Sequence, residues 1–167
     1  ALKGETTEEE SFETVVDCDI DAFIPDGYIK NEYLKLDVYK RISAIENEEE
    51  YMDMQDELID RFGDIPGPVE NLLKVAELKA AAHRAYVTEV AVNRQEIRME
   101  LYPKAKLDVS GIPGLIGEYK NALRFVQGEK PMMFYQDKRN KNKDCGPMME
   151  KAREIFERLG GLAGPRG

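Results

Sequence analysis

Few side chains in this chain have the type and spacing that chemistry needs. His83 is the sole histidine and sits between Ala82 and Arg84 in a helical stretch. A lone imidazole can act as a base, but a triad also needs orienting partners, so His83 reads as a structural or surface residue. Asp17, Asp19 and Asp21 offer the hard oxygens that divalent cations take. A calcium loop also needs a glycine turn and a glutamate at the twelfth position, and neither follows. Alternation instead puts the three carboxylates on one face of a strand, as a solvated acidic face. Cys18 and Cys145 have no ligand spacing, and one histidine cannot complete a zinc site, so they read as two thiols without a disulfide.

Phosphate chemistry finds no better footing. Gln127-Gly128-Glu129-Lys130-Pro131 lacks the glycine spacing of a phosphate loop and the Ser or Thr after its lysine. There is no dinucleotide-binding glycine pattern and no serine elbow. Lys138-Arg139-Asn140-Lys141-Asn142-Lys143, bracketed by Asp137 and Asp144, reads as a solvated loop. Met132-Met133 and Met148-Met149 read as core filling more than as an adaptable binding surface. The expectation is a domain with no catalytic, cofactor or metal site of its own.

The bulk numbers agree with a binding role. The net charge of −9 argues against nucleic acid as a direct ligand, because phosphate contacts need a clustered cationic face. At 167 residues, with 42% hydrophobic and 34% charged, the chain suits one globular domain. No apolar run approaches the length of a membrane span. The start at Ala1-Leu2-Lys3-Gly4-Glu5 has no signal-peptide pattern.

The elements that must position these residues follow from periodicity. Residues 1–11, with Glu5, Glu8, Glu9 and Glu10, read as an acidic linker. Val16, Cys18, Ile20 and Ala22 alternate with the three aspartates as a strand, closed by Pro25-Asp26-Gly27. Asn31 caps a helix carrying Leu34, Val38, Ile42 and Ile45. Asn47 caps a second, with Glu50 placed for a capping box, the stripe Tyr51, Met54, Leu58 and Phe62, and Gly63 as its stop. Pro68 opens a third, alanine-rich helix running to about Tyr86. Val87–Val92 and Ile97–Leu101 form a hairpin around Asn93-Arg94-Gln95. A short helix from Pro113, strands at 122–127 and 131–136, and a helix from Pro147 to Gly160-Gly161 complete the chain. The predicted fold class is α+β: a helical N-terminal half, then a small antiparallel sheet with packed helices. The single domain spans 12–161, with a flexible tail at 162–167.

Three segments resemble one family: Ile20-Asp21-Ala22-Phe23-Ile24-Pro25-Asp26-Gly27-Tyr28-Ile29, then Leu34-Lys35-Leu36-Asp37-Val38-Tyr39-Lys40-Arg41-Ile42, then Asp56-Glu57-Leu58-Ile59-Asp60-Arg61-Phe62-Gly63-Asp64-Ile65-Pro66 with Pro68 to Leu73. In order and spacing they resemble the C-terminal domain of the bacterial transcription-repair coupling factors, over about residues 12–85. The resemblance implies a bacterial cytoplasmic parent, an ATP-driven translocase on duplex DNA that displaces stalled RNA polymerase and recruits the repair protein UvrA. Its motor, with ATP and Mg, precedes this domain. This chain has no phosphate-loop motif, so hydrolysis is not expected of it. The implied role is a regulatory clamp, packed on the parent's UvrA-binding module and masking it until polymerase is engaged.

The second helix is where such a clamp would act. Glu57, Asp60 and Arg61 fall between the core positions Leu58 and Phe62, so they face outward, and such charge steers and registers a partner while adding little to the fold. They are the candidate protein-interface residues. A competing reading is a recruitment module that binds an external repair or transcription protein and masks nothing. A third, a small enzyme with an unrecognised site, has the least support.

Overall fold

The structure is a computed structural model that describes residues 12–103, 109–120, 122–137 and 145–162. The expected linker at 1–11, the basic loop and all but the first residue of the expected tail lie outside the described residues. Among the described residues ten α-helices and strands follow in the order β1 (Val15–Cys18), α1 (Glu32–Ser43), α2 (Glu48–Phe62), α3 (Gly67–Arg84), β2 (Val87–Val92), β3 (Glu96–Leu101), α4 (Ile112–Glu118), β4 (Leu123–Val126), β5 (Met132–Gln136) and α5 (Gly146–Leu162), with a short 3-10 turn at Val109–Gly111 before α4. The class is α+β, as the periodicity predicts. Among the described residues no helix is long and apolar enough to cross a membrane.

Local chemistry sets the helix ends. Asn31 Oδ1 accepts from the amides of Tyr33 and Leu34 at 2.9 and 3.0 Å, and Asn47 Oδ1 from that of Glu50 at 2.8 Å. These bonds satisfy donors that a helix start otherwise leaves unpaired. The Glu50 carboxylate reaches back one residue further than a capping box requires, to the Glu46 amide at 2.8 Å. Gly63 ends α2 with φ 91° and ψ −165°, a backbone region essentially closed to residues with a Cβ. The glycine pair at 160–161 does not end α5, which runs on to Leu162. Packing of Leu159 and Phe156 holds that last turn where propensity alone would release it.

The sheet order is β1-β2-β3-β5-β4. Its antiparallel part is the predicted pair of hairpins. The first strand joins it in parallel, Val16 opposite Val90 and Cys18 opposite Val92, so the sheet is mixed. Thr14 anchors the approach to β1 by donating its hydroxyl to the Val87 carbonyl at 2.8 Å. A bulge between Val87 and Glu89 shifts the β2 register, so Val87, Val90 and Val92 all face the core. Simple alternation groups Val87 with Glu89 and Ala91; the extra residue of the bulge breaks that phase.

Two clusters of buried side chains lie on either side of α3. One packs α3, α4 and α5 against a single face of the sheet, with Ile97, Met99, Met133, Ile155 and Phe156 at 1% exposure or less. Met133, Met148 and Met149 serve here as core filling, while Met132 is half-buried on the other face of the sheet. The other packs α1 and α2 on the first turns of α3, through Val38, Ile42, Leu58, Val69 and Leu73. Leu34, assigned by its spacing to the apolar stripe of α1, is 38% exposed instead, because the inward face begins at Val38.

Candidate interaction surface

α1 and α2 present their outer faces side by side, and their charges meet at Glu57. Both terminal nitrogens of Arg41, from α1, donate to the two Glu57 carboxylate oxygens. Arg61, one turn on in α2, adds a bond from Nη1 to Glu57 Oε2 at 3.0 Å. The forked guanidinium matches a carboxylate with two parallel bonds, so the carboxylate is held in one orientation. The Arg41 guanidinium, with Arg61 assisting, pulls the Glu57 carboxyl down to about 2, against an ordinary value of 4.5. Arg61 also lies over the Phe62 ring, 4.9 Å from its centroid. The three groups form one ionic cluster, and Arg41 and Glu57 of it border a shallow groove of about 330 Å³ that Ile45 and Met54 also line.

The sequence candidates therefore divide. Glu57 and Arg61 are brought together, and Asp60 stands exposed beside them, in no ion pair among the described residues. Glu57 differs from the expectation that charge here adds little to the fold, since through Arg41 it ties α1 to α2. Arg41 is the residue at this patch that sequence reasoning passed over. Helical spacing places it outside α1 but says nothing of which neighbouring helix it faces.

This geometry gives a pH dependence. The folded carboxyl is depressed, so its contribution is present above about pH 4.5 and fades as pH falls through that value toward 2. Partial exposure limits its size to roughly 1 kcal/mol or less. Glu57→Gln is expected to lower stability by that amount at pH 7 and to flatten the acid limb of stability between about pH 5 and 2. Denaturant titrations at several pH values check it, and parallel acid limbs for variant and wild type would contradict it.

The other sequence candidates sit elsewhere. Asp17, Asp19 and Asp21 are exposed beside an open groove that Asn71, Asn93 and Arg94 also border. The described residues contain no cluster of three or more metal-ligating side chains. His83 is half-buried, its ring stacked on Phe12 at 4.4 Å and its Nε2 3.1 Å from the Phe12 carbonyl oxygen. It thus helps seat the chain as it enters β1, and Tyr102 stacks on the same Phe12 ring, 4.7 Å between centroids.

Cys18 and Cys145 form no disulfide. Cys145 is buried, and its thiol donates to the Asp19 carbonyl at 3.2 Å. Burial, with Cys145 and Asp17 adding to it, pushes the Cys18 thiol up to about 12. A reagent that needs thiolate should therefore find little of it in the folded protein. Dithiobisnitrobenzoate at pH 8 is expected to modify the folded chain at least about a hundredfold more slowly than the chain in denaturant. Comparable rates would show that the thiols open to solvent.

Comparison with known proteins adds three findings. Residues 18–112 match the TRCF domain family. The transcription-repair-coupling factor of Bacillus subtilis (strain 168) is 38% identical over 109 residues, 65% of this chain and 9% of that protein. That of Staphylococcus haemolyticus (strain JCSC1435) is 39% identical over 99 residues, 59% of this chain and 8% of that protein. The chain thus spans under a tenth of these relatives. A crystal structure of a C-terminal domain of transcription-repair coupling factor superposes with a TM-score of 0.72, over 93% of this chain and 97% of that one. At 23% identity that likeness shows the fold.

Proposed function

The chain belongs to the TRCF domain family, and from that membership we propose that it is the regulatory, non-catalytic domain of a transcription-repair coupling factor acting in bacterial DNA repair. In this reading it binds the UvrA-binding module of its own parent protein and masks it until the factor engages stalled RNA polymerase. UvrA and polymerase are indirect partners, ATP and Mg belong to the parent's motor, and the domain touches neither nucleic acid nor membrane.

The observation that carries the reading is the Arg41–Glu57–Arg61 cluster with Asp60 beside it. A partner meeting this patch finds charges already oriented, so little further ordering opposes binding. Tethering in one polypeptide supplies an effective concentration up to about millimolar, and a polar patch of modest affinity can then keep the clamp mostly closed. Modest affinity also lets a rearrangement elsewhere release it.

Asp60 is the cleaner residue to test, because Glu57 also supports the fold. Asp60→Lys is expected to leave domain stability within about 0.5 kcal/mol. In the full-length factor it should raise UvrA affinity about tenfold, as roughly 1.4 kcal/mol of closure is lost. Equal UvrA affinity for folded variant and wild type would remove Asp60 from the clamp. Direct capture of UvrA by the isolated domain would favour the recruitment reading instead.

A further inference from the structure

Among the described residues the helices cover one face of the sheet. On the other, the paired strands align their outward side chains into two neighbouring rows. One row runs Val15, Glu89, Glu100, Met132, Val126 across the five strands, and the next runs Asp17, Ala91, Arg98, Phe134, Arg124. No described element lies over them: Val15 and Val126 are 58% and 48% exposed, and Arg98, Arg124 and Glu89 are exposed as well.

The central residues of this face are unusual for an acidic domain. Among the described residues neither Arg98 nor Arg124 has an ion pair. Arg124 lies instead over the Phe134 ring, 5.4 Å from its centroid. Among the described residues the Glu100 carboxylate pairs with the exposed Lys130 alone, at a long 3.9 Å. Met132 and Phe134 are half-buried, flat apolar surface between the charges. A partner of one charge sign would meet repulsion from half of the face. The rows are, however, complements of each other, Glu100 beside Arg98 on β3 and Met132 beside Phe134 on β5.

We propose that this open sheet face is an isologous interface that binds a second copy of this chain. A two-fold axis running across the strands between the rows lays each row on the other row of the partner copy. Glu100 then meets Arg98 of the other copy, and Arg98 meets its Glu100. Met132 meets Phe134 in the same reciprocal way, a sulfur–aromatic contact made twice. Sheets packed face to face lie about 10 Å apart, a gap that Arg, Glu, Met and Phe side chains can fill. The charge complementarity is what selects a second copy over an acidic or a basic partner. The net charge of −9 on each copy opposes the association and keeps it weak, so it should strengthen with concentration.

Sedimentation equilibrium of the 167-residue chain tests the proposal. The expected result is a mass that rises with concentration from 19.0 kDa toward twice that value. Arg98→Glu and Glu100→Arg should each be monomeric alone, since each juxtaposes like charges across the axis. Their equimolar mixture should associate again, because the mixed pair restores both ion pairs. Met132→Glu, which places charge in the apolar centre, should abolish association by itself. Circular dichroism of each variant establishes that it is folded. A wild-type chain that stays monomeric at every concentration overturns the proposal. So does association that Arg98→Glu leaves intact, or a mixture that fails to associate while the wild type does. A monomer that instead captures an acidic peptide or an oligonucleotide through Arg98 overturns it too.

Discussion

Phe156→Ala is expected to lower the stability of the domain by about 4 kcal/mol. Phe156 is 1% exposed, on the face of α5 turned to the sheet, and it lies among the largest fully buried side chains. Its removal leaves a hole between α5 and its neighbours that cannot close, because α5 is fixed at several other points. Ala152, Ile155 and Leu159 pack around the same seam, and Arg153 reaches Glu77 of α3 at 2.8 Å. Lost transfer free energy and an open cavity therefore add. In a chain of this size the melting midpoint should fall by about 12 °C, at 2–4 °C per kcal/mol. Urea unfolding followed by circular dichroism checks it; a midpoint within a degree or two of wild type would mean that α5 is not held as described.

Leu73→Ala should cost about 3 kcal/mol, and its value lies in where Leu73 sits. It is fully buried in the cluster that α1 and α2 make on α3, away from the sheet. Two turns further along the same helix, Ala81 and Ala82 are buried in the sheet cluster. One rigid helix thus serves both cores, and neither can dissolve without freeing residues that the other needs. Leu73→Ala and Phe156→Ala should accordingly shift one common transition, with the denaturant slope unchanged. A Leu73→Ala transition that splits in two, the helical signal of α1 and α2 lost first, would show two independently folding parts.

Much of this architecture is legible in the sequence because it is set locally. Asn31 and Asn47 fix helix starts through their own neighbouring amides. Asn93 fixes the β2–β3 turn by accepting from Gln95 and Glu96 at 2.9 and 2.8 Å. What the sequence hides depends on distant partners. The alternation around Val16 and Cys18 predicts a strand but is silent on whether its neighbour runs parallel. The bulge at the start of β2 moves Glu89 without any glycine to announce it. Glycines 160–161 look like a stop until tertiary packing overrides propensity.

The candidate site divides in the same way. Outward placement of Glu57, Asp60 and Arg61 follows from helical spacing around Leu58 and Phe62. That Glu57 is already occupied by Arg41 depends on how α1 lies against α2, sixteen residues away in sequence. The open face of the sheet was hidden for the same reason. Arg98, Phe134 and Arg124 belong to three strands, and only their register puts them in one row.

The parallel docking of β1 has a consequence for the order in which the molecule can assemble. Thr14 bonds to Val87, 73 residues later. During synthesis at about 5–20 residues per second, the first strand therefore leaves the ribosome roughly 4–15 seconds before its partner exists. In that interval α1 and α2 have emerged, and Arg41 and Glu57, only 16 residues apart, can already meet. The short spacing favours that helical pair as the early contact, since loop closure is easier there than across the whole α1–α3 stretch. β1 must wait, with Val15 and Val16 unpaired, until the β2–β3 hairpin offers an edge. The first strand of this domain is thus placed only after the helical pair and the β2–β3 hairpin, although all of these follow it in sequence.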